Sequence, residues 1–248
     1  MASPVTQIHY LTIDTSKDLT DTDSEAGKAW NRALDLLEHF SGFRRLYWGR
    51  SPEDETKVQL HVVLVYPPSL LFSRSSAADE EPLLVRDTRA QHQAFLSSPE
   101  HTAFQAILQT LVSSSSPSPP LVRHAQLRDF TPGSQALGRG APVSGTAVYV
   151  STDAAWHEGA WPLWTHIVPG VDGCLGCSGG PLEEVVDGHG SCYLVYVGWE
   201  TVAKHDAYHH TRHFARHGII LRKGNKGWRE YGHVRFEGAR EGGVKGKL

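Results

Sequence analysis

Three histidines stand where a neutral imidazole could take and return a proton. His9 shares strand parity with Leu11 and Ile13, and His61 lies inside the most hydrophobic run of the chain. His101 falls three residues before Phe104 and continues the apolar face of its helix. It also sits in the first turn after Ser98-Pro99, where the positive end of the helix dipole favours the uncharged ring. A neutral, partly buried imidazole is suited to general-base work α to a carbonyl or at a phenol. His61 and His101 are therefore expected to move the proton, and His9 to orient the substrate or the partner imidazole. The alternative is that each is a core histidine satisfied by a backbone carbonyl. What separates the two is whether all three converge on one cleft between sheet and helices.

Other residues invite chemistry less directly. His205, His209, His213 and His217 recur at four-residue spacing, as chelating histidines on a helix do. Helical phase argues against a metal, because Ala203, Ala207, Thr211, Phe214 and Gly218 would define the buried face and leave His205 and His209 opposite it. Cys174 and Cys177 have zinc or redox spacing, but only Cys192 and His189 could complete a zinc site, and no βαβ context surrounds the pair. They read as small strand residues. Trp156, Trp161 and Trp164 suit a helix packed in the core that could also wall an aromatic ligand's pocket. The span 204–235 carries eight basic and two acidic residues, which fits either an anionic substrate or a solvated face.

Positioning such groups needs a sizeable core, and 248 residues supply one. The chain is 40% hydrophobic and 21% charged with a net charge of -3, which is ordinary for a globular protein and too acidic for a dedicated nucleic-acid binder. No apolar run reaches membrane-spanning length, and no secretory leader is visible, so no membrane partner is expected. Three cysteines point to a reducing, cytoplasmic setting.

The elements repeat. In the first half, strands are expected at 8–13, 43–49, 58–66 and 121–127. Helices follow the Thr22/Glu25 capping-box pattern, span 85–96, and start again at Ser98. The 58–66 run is apolar on both parities, so both of its faces should be buried. After a Gly/Pro-rich stretch at 131–145 the order returns: strands at 146–151, 171–177, 191–199 and 230–236, with helices at 156–168 and 201–216. This divides the chain into an N-terminal half (1–130), a linker (131–145), a C-terminal half (146–240) and a tail (241–248). The class is α+β: two tandem ferredoxin-like β-α-β-β-α-β units. Each leaves one sheet face uncovered, so the two are expected to stack sheet on sheet as a pseudo-dimer, forming an intramolecular α+β barrel with a pocket possible between sheet and helices of each half.

Taken together, these motifs resemble the dimeric α+β barrel superfamily of stress-responsive A/B barrels, antibiotic-biosynthesis monooxygenases and EthD-like proteins, the tandem fungal versions in particular. The first half is similar to olivetolic acid cyclase, a cofactor-free polyketide cyclase of that superfamily. Its strand and helix histidines match His9, His61 in the run LHVVLVY at 60–66, and His101 in SPEHTAF at 98–104. Its catalytic tyrosine falls on Phe95 here. In the second half Tyr208 takes that place, while Tyr193 and Phe214 replace the histidines. Complementary remnants in the halves leave either pocket able to be the working one.

The resemblance implies a cofactor-free enzyme of aromatic or polyketide metabolism that cyclises, dehydrates or isomerises its substrate. Trp30, Phe95, Tyr193, Trp199, Tyr208 and His213 are the expected substrate contacts, and no metal is expected. Two rival expectations remain: a cofactor-independent monooxygenase acting on an anthrone- or phenol-like molecule, and a non-catalytic metabolite-binding barrel. A monomer or weak homodimer is expected.

Overall fold

The computed structural model of the chain describes residues 4–40, 42–65, 96–113 and 120–242. Phe95, the helix expected at 85–96 up to residue 95, and the tail from 243 lie outside the described residues. In the N-terminal half, β1 (Val5–Thr12), α1 (Glu25–Glu38), β2 (Phe43–Arg50), β3 (Lys57–Leu64), α2 (Pro99–Leu111) and β4 (Leu121–Ala125) follow one another. A two-residue strand β5 (Arg128–Asp129) precedes the second half. There β6 (Val143–Tyr149), α3 (Trp161–Ile167), β7 (Cys174–Leu182), β8 (Cys192–Trp199), α4 (Val202–His209), α5 (Arg212–His217) and β9 (Trp228–Glu241) complete the chain. Among the described residues no helix is long and apolar enough to cross a membrane.

Local chemistry sets the helix starts. The Ser98 hydroxyl accepts a hydrogen bond from the His101 amide at 3.1 Å, with Pro99 at the first helical position. The expected Thr22/Glu25 box is not the cap of α1. Ser24 takes that role, accepting from the Gly27 amide at 2.9 Å and leaving Glu25 in the first turn. At 156–168 the backbone first makes a π-helical turn, Ala155–Ala160, and the α-helix begins around Pro162.

One nine-stranded antiparallel sheet runs in the order β4-β1-β3-β2-β9-β6-β8-β7-β5, and β4 also pairs with β7. Each half thus keeps the strand order fourth-first-third-second. The halves join at their sheet edges, β2 to β9 and β4 to β7, and so close the expected intramolecular barrel. Closure explains one misread stretch. Gly179-Gly180-Pro181 looks like a strand breaker, yet β7 runs through it to Leu182. A Cβ on Gly180 would sit 2.0 Å from the Gln126 carbonyl oxygen, so glycine is what lets the backbones meet at the seam.

Burial on both sides of β3 follows from the barrel. Val58, Leu60, Val62 and Leu64 pack under α1 and α2 with Trp30, Leu34, Phe104 and Leu108. The barrel interior is lined by Ile8, Tyr47, Val148, Leu194, Tyr196 and Val234, with Val63 and Phe236 against them. A third core lies between the second half's sheet and its helices, around Trp156, Trp161, Trp164, Tyr193 and Trp199.

Candidate active site

The two sheet–helix layers differ in what fills them. In the N-terminal half, Trp30 packs edge-on to Trp48 at 5.2 Å, and the 13-residue α2 drives Phe104, Leu108 and Leu111 onto the sheet. Trp30 therefore belongs to a filled core. In the C-terminal half the sheet presents Gly145 and Ala147, and the covering helices α4 and α5 are only eight and six residues long. Little side-chain volume enters there. The result is a cavity of about 960 Å³ walled by Trp161, Trp164, Trp199, Tyr149, Tyr208 and Phe214.

The three histidines singled out in the first half do not converge. In the β1–β3 register His61 stands opposite Ile8, and His9 opposite Leu60. Side chains alternate along a strand, so His61 points into the barrel while His9 faces the helices. His61 stacks on Tyr47 at 4.7 Å, and its Nε2 lies 3.1 Å from the Gln59 side-chain oxygen and 3.5 Å from the Tyr196 hydroxyl. His9 meets the edge of Phe104 at 5.3 Å, and half-buried His101 lies 6.2 Å from the same ring. The sheet itself separates His61 from the other two. Since the 58–66 run is apolar on both parities, nothing in its pattern tells which face is the barrel's.

The helical phase assigned to 203–218 is also reversed. His205 and Tyr208 are the buried residues of α4, whereas Ala203 and Ala207 are exposed. The span is two helices rather than one: α4 ends at His209, and Thr211 caps α5 by accepting from the Phe214 amide at 3.1 Å. That break resets the phase, and the histidine ladder is split between two axes.

His205 is consequently placed at the cavity wall. Its ring stacks on Trp199 at 4.7 Å with an interplanar angle of 16°. Below it lies Gly145, where a Cβ would stand 2.5 Å from Cε1 and 2.8 Å from Nδ1. A Gly145→Ala variant should therefore push the imidazole off its stack, which proton NMR would detect as a shift of the His205 ring signals away from the Trp199 ring current. Unmoved signals would refute this packing.

A hydrogen-bonded chain runs back from His205. Its Nδ1 lies 2.7 Å from Nε2 of His233 on β9, and Nδ1 of His233 bonds to the Glu53 carboxylate. Glu53 belongs to the turn between β2 and β3, so the chain crosses from one half to the other. Burial pushes the Glu53 carboxyl up, but hydrogen bonds from Ser51 and His233 outweigh it and hold the group below its ordinary value. An ionised carboxylate only accepts. When His233 is neutral, its proton lies on Nδ1 and its Nε2 accepts from His205 Nδ1–H. This leaves Nε2 of His205 as a lone pair at the cavity wall, with no hydrogen-bond partner among the described residues. Burial, followed by the neighbouring His209 and His233 rings, lowers the His205 pKa to about 3, so the ring is neutral near pH 7.

The remaining expected contacts divide. Trp199 and Tyr208 line the cavity. His213 stands behind Tyr208, its Nδ1 3.1 Å from the phenol oxygen, and burial pushes that phenol up to about 12. Tyr193 is packed between Trp156 and His157 rather than on the cavity surface. Residues overlooked in the sequence are His233, Glu53 and Gly145, and the phase read there sets His205 on the wrong face. The ladder had drawn attention to His205, whereas a lone acid in a turn 180 positions from its partner carries no signal.

No family profile and no curated protein sequence matches the chain. Solved structures do. An anthrone oxidase-like protein superposes with a TM-score of 0.62 at 12% identity, over 98% of this chain and 95% of that one. The chain has its fold. A candidate monooxygenase of Fusobacterium nucleatum gives a TM-score of 0.54 at 9% identity, covering 100% of this chain and 97% of the other. Another, from Lactobacillus acidophilus, gives 0.52 at 11%, covering 97% of each. The likeness is one of fold: a large antiparallel sheet covered by several helices.

Proposed function

We propose that the protein is an enzyme that removes a proton from an anthrone- or phenol-like aromatic bound in the C-terminal cavity, and that dioxygen then oxidises the resulting carbanion. The observation that carries this reading is the unengaged Nε2 of a neutral His205 set among aromatic walls. It assigns the proton transfer to His205, in place of His9, His61 and His101.

An aromatic substrate would stack among Trp161, Trp164 and Phe214, with Trp199 held behind the imidazole by the His205 stack. As His205 takes the proton at Nε2, its ring becomes cationic. Glu53, acting through His233, stabilises that charge and holds the ring in the productive tautomer. Tyr208, neutral because burial raises its pKa, can donate a hydrogen bond to the oxygen that becomes anionic. For an anthrone the balance is simple. The carbanion and dioxygen combine, and loss of water leaves the quinone, so that one oxygen atom enters the product and the other leaves as water. The anthrone oxidase-like protein of the same fold supports this choice of substrate class. Because the barrel closes within one chain, the site is complete in a monomer.

Mass-resolved product analysis with anthrone and polyketide-type candidates, in air and without oxygen, tests the reading. Conversion that needs oxygen and adds one oxygen atom is the expected result. Conversion that persists anaerobically with no oxygen gained would turn the same base over to cyclisation, dehydration or isomerisation. Tight uptake with no chemical change would make the protein a binding barrel.

A further inference from the structure

One wall of the cavity comes from the stretch 212–229, which supplies Phe214, Ile219, Leu221, Asn225 and Trp228 to its lining, together with Arg222. This stretch contains Arg212, Arg216, Arg222, Lys223, Lys226 and Arg229 and no acidic residue, in a chain whose net charge is -3. Of these, Arg229 is paired with Asp187. The Arg222 guanidinium has neither ion pair nor hydrogen-bond partner among the described residues. Asp206, the acidic residue of the lining, makes no ion pair with it. Neither α5 nor the 3₁₀ turn after it (Gly218–Arg222) has a fully buried residue, so this wall is the cavity's solvent side. Of its basic members Arg222 lies in the cavity lining, and it is exposed.

We infer that the ligand of this cavity is an aromatic anion, whose carboxylate, sulfonate or phosphate group pairs with Arg222 at the mouth while its ring system lies among the tryptophans. The inference rests on the cavity being the substrate site. A guanidinium suits this role because its planar fork meets an oxyanion with two hydrogen bonds, and beside an apolar wall the pair is less screened than on open surface. The basic excess of the same stretch raises the local concentration of anions and disfavours cationic competitors. The arrangement also orients the ligand. With its anionic end at Arg222, the ring system is directed inward towards His205.

Two dyes that differ by one charged group test this. 8-Anilinonaphthalene-1-sulfonate and N-phenyl-1-naphthylamine share an aromatic body, and only the first is an anion. Binding to the full chain is followed by energy transfer from tryptophan, of which Trp161, Trp164, Trp199 and Trp228 line the cavity. The sulfonate is expected to bind about five- to tenfold more tightly than the neutral dye, and to weaken with added salt. In Arg222→Gln that preference should disappear while the neutral dye binds as before. Arg212→Gln, which changes a basic residue of the same stretch outside the cavity lining, should keep it. Equal affinity for the two dyes, or a preference unaffected by Arg222→Gln, overturns the anion assignment alone. Absence of energy transfer from either dye overturns the cavity as an aromatic site, and this inference with it.

Discussion

Replacing His205 by glutamine should lower turnover of the anthrone- or phenol-type substrate by at least about a hundredfold, the usual contribution of a positioned general base. Glutamine keeps a polar side chain of similar reach and can still hydrogen-bond to His233, so the fold should survive. The loss should fall on kcat, because the imidazole acts on the proton in flight rather than on the bound ring system. Glu53→Gln is the informative companion. It keeps the shape and an accepting oxygen but removes the charge that stabilises the imidazolium two hydrogen bonds away. A loss of about tenfold in kcat with KM little changed is expected, even though Glu53 lies in a half-exposed turn of the other half of the chain. His61→Gln and His101→Gln should stay within a few-fold of the unmodified protein. Normal turnover in His205→Gln beside a large loss in His101→Gln would return the chemistry to the N-terminal half.

Acid should unfold the protein well before it titrates the base. Burial is the largest cause that lowers the pKa of His9, His61 and His205 to about 3, from an ordinary 6.5. The unfolded chain therefore binds protons at these rings from about pH 6.5 downward, whereas the native protein does not bind them until about pH 3. Stability is complete above 6.5 and falls as the pH drops through that window. Each ring contributes a slope that approaches about 1.4 kcal/mol per pH unit, and the three together about 4 kcal/mol. A domain with a typical stability of about 5–15 kcal/mol loses much of it within two or three pH units at that slope. Urea midpoints followed by tryptophan fluorescence at pH 7.5, 6, 5 and 4.5 should decline progressively, and His61→Gln should reduce the slope by about a third. A flat midpoint between pH 7 and 5 would show that these rings are not held neutral in the native state. The functional consequence is that activity lost in mild acid reflects unfolding rather than protonation of His205.

Much of the architecture was legible from the chain alone, and the reasons are local. The 58–66 run, apolar on both parities, announced a strand buried on two sides. Ser98-Pro99 announced a helix start, and the recurring order of strands and helices announced two ferredoxin-like units. These signals depend on residues near one another in sequence, where side-chain alternation and backbone capping leave a periodic trace. The aromatic and histidine-rich character of the second half was visible in the same way, and Trp199 and Tyr208, singled out there, line the cavity.

What the tertiary structure decided was which of two layers is hollow and which histidine looks into it. Parity puts Leu60 and His61 on opposite faces of the sheet, but the register that sets His9 beside Leu60 and the closure that makes the His61 face the interior belong to the tertiary structure. The phase of the 203–218 span turned on a helix break at 209–211, three residues that undo a periodicity read over sixteen. The chain from His205 through His233 to Glu53 joins positions from α4, β9 and the β2–β3 turn. No local pattern links them, because their proximity comes from β9 crossing the seam to pair with β2. The sequence determined the two halves and their elements through near-neighbour physics. The candidate site arose from the closure of those halves on each other, which brings a carboxylate of one half within hydrogen-bonding reach of an imidazole in the other.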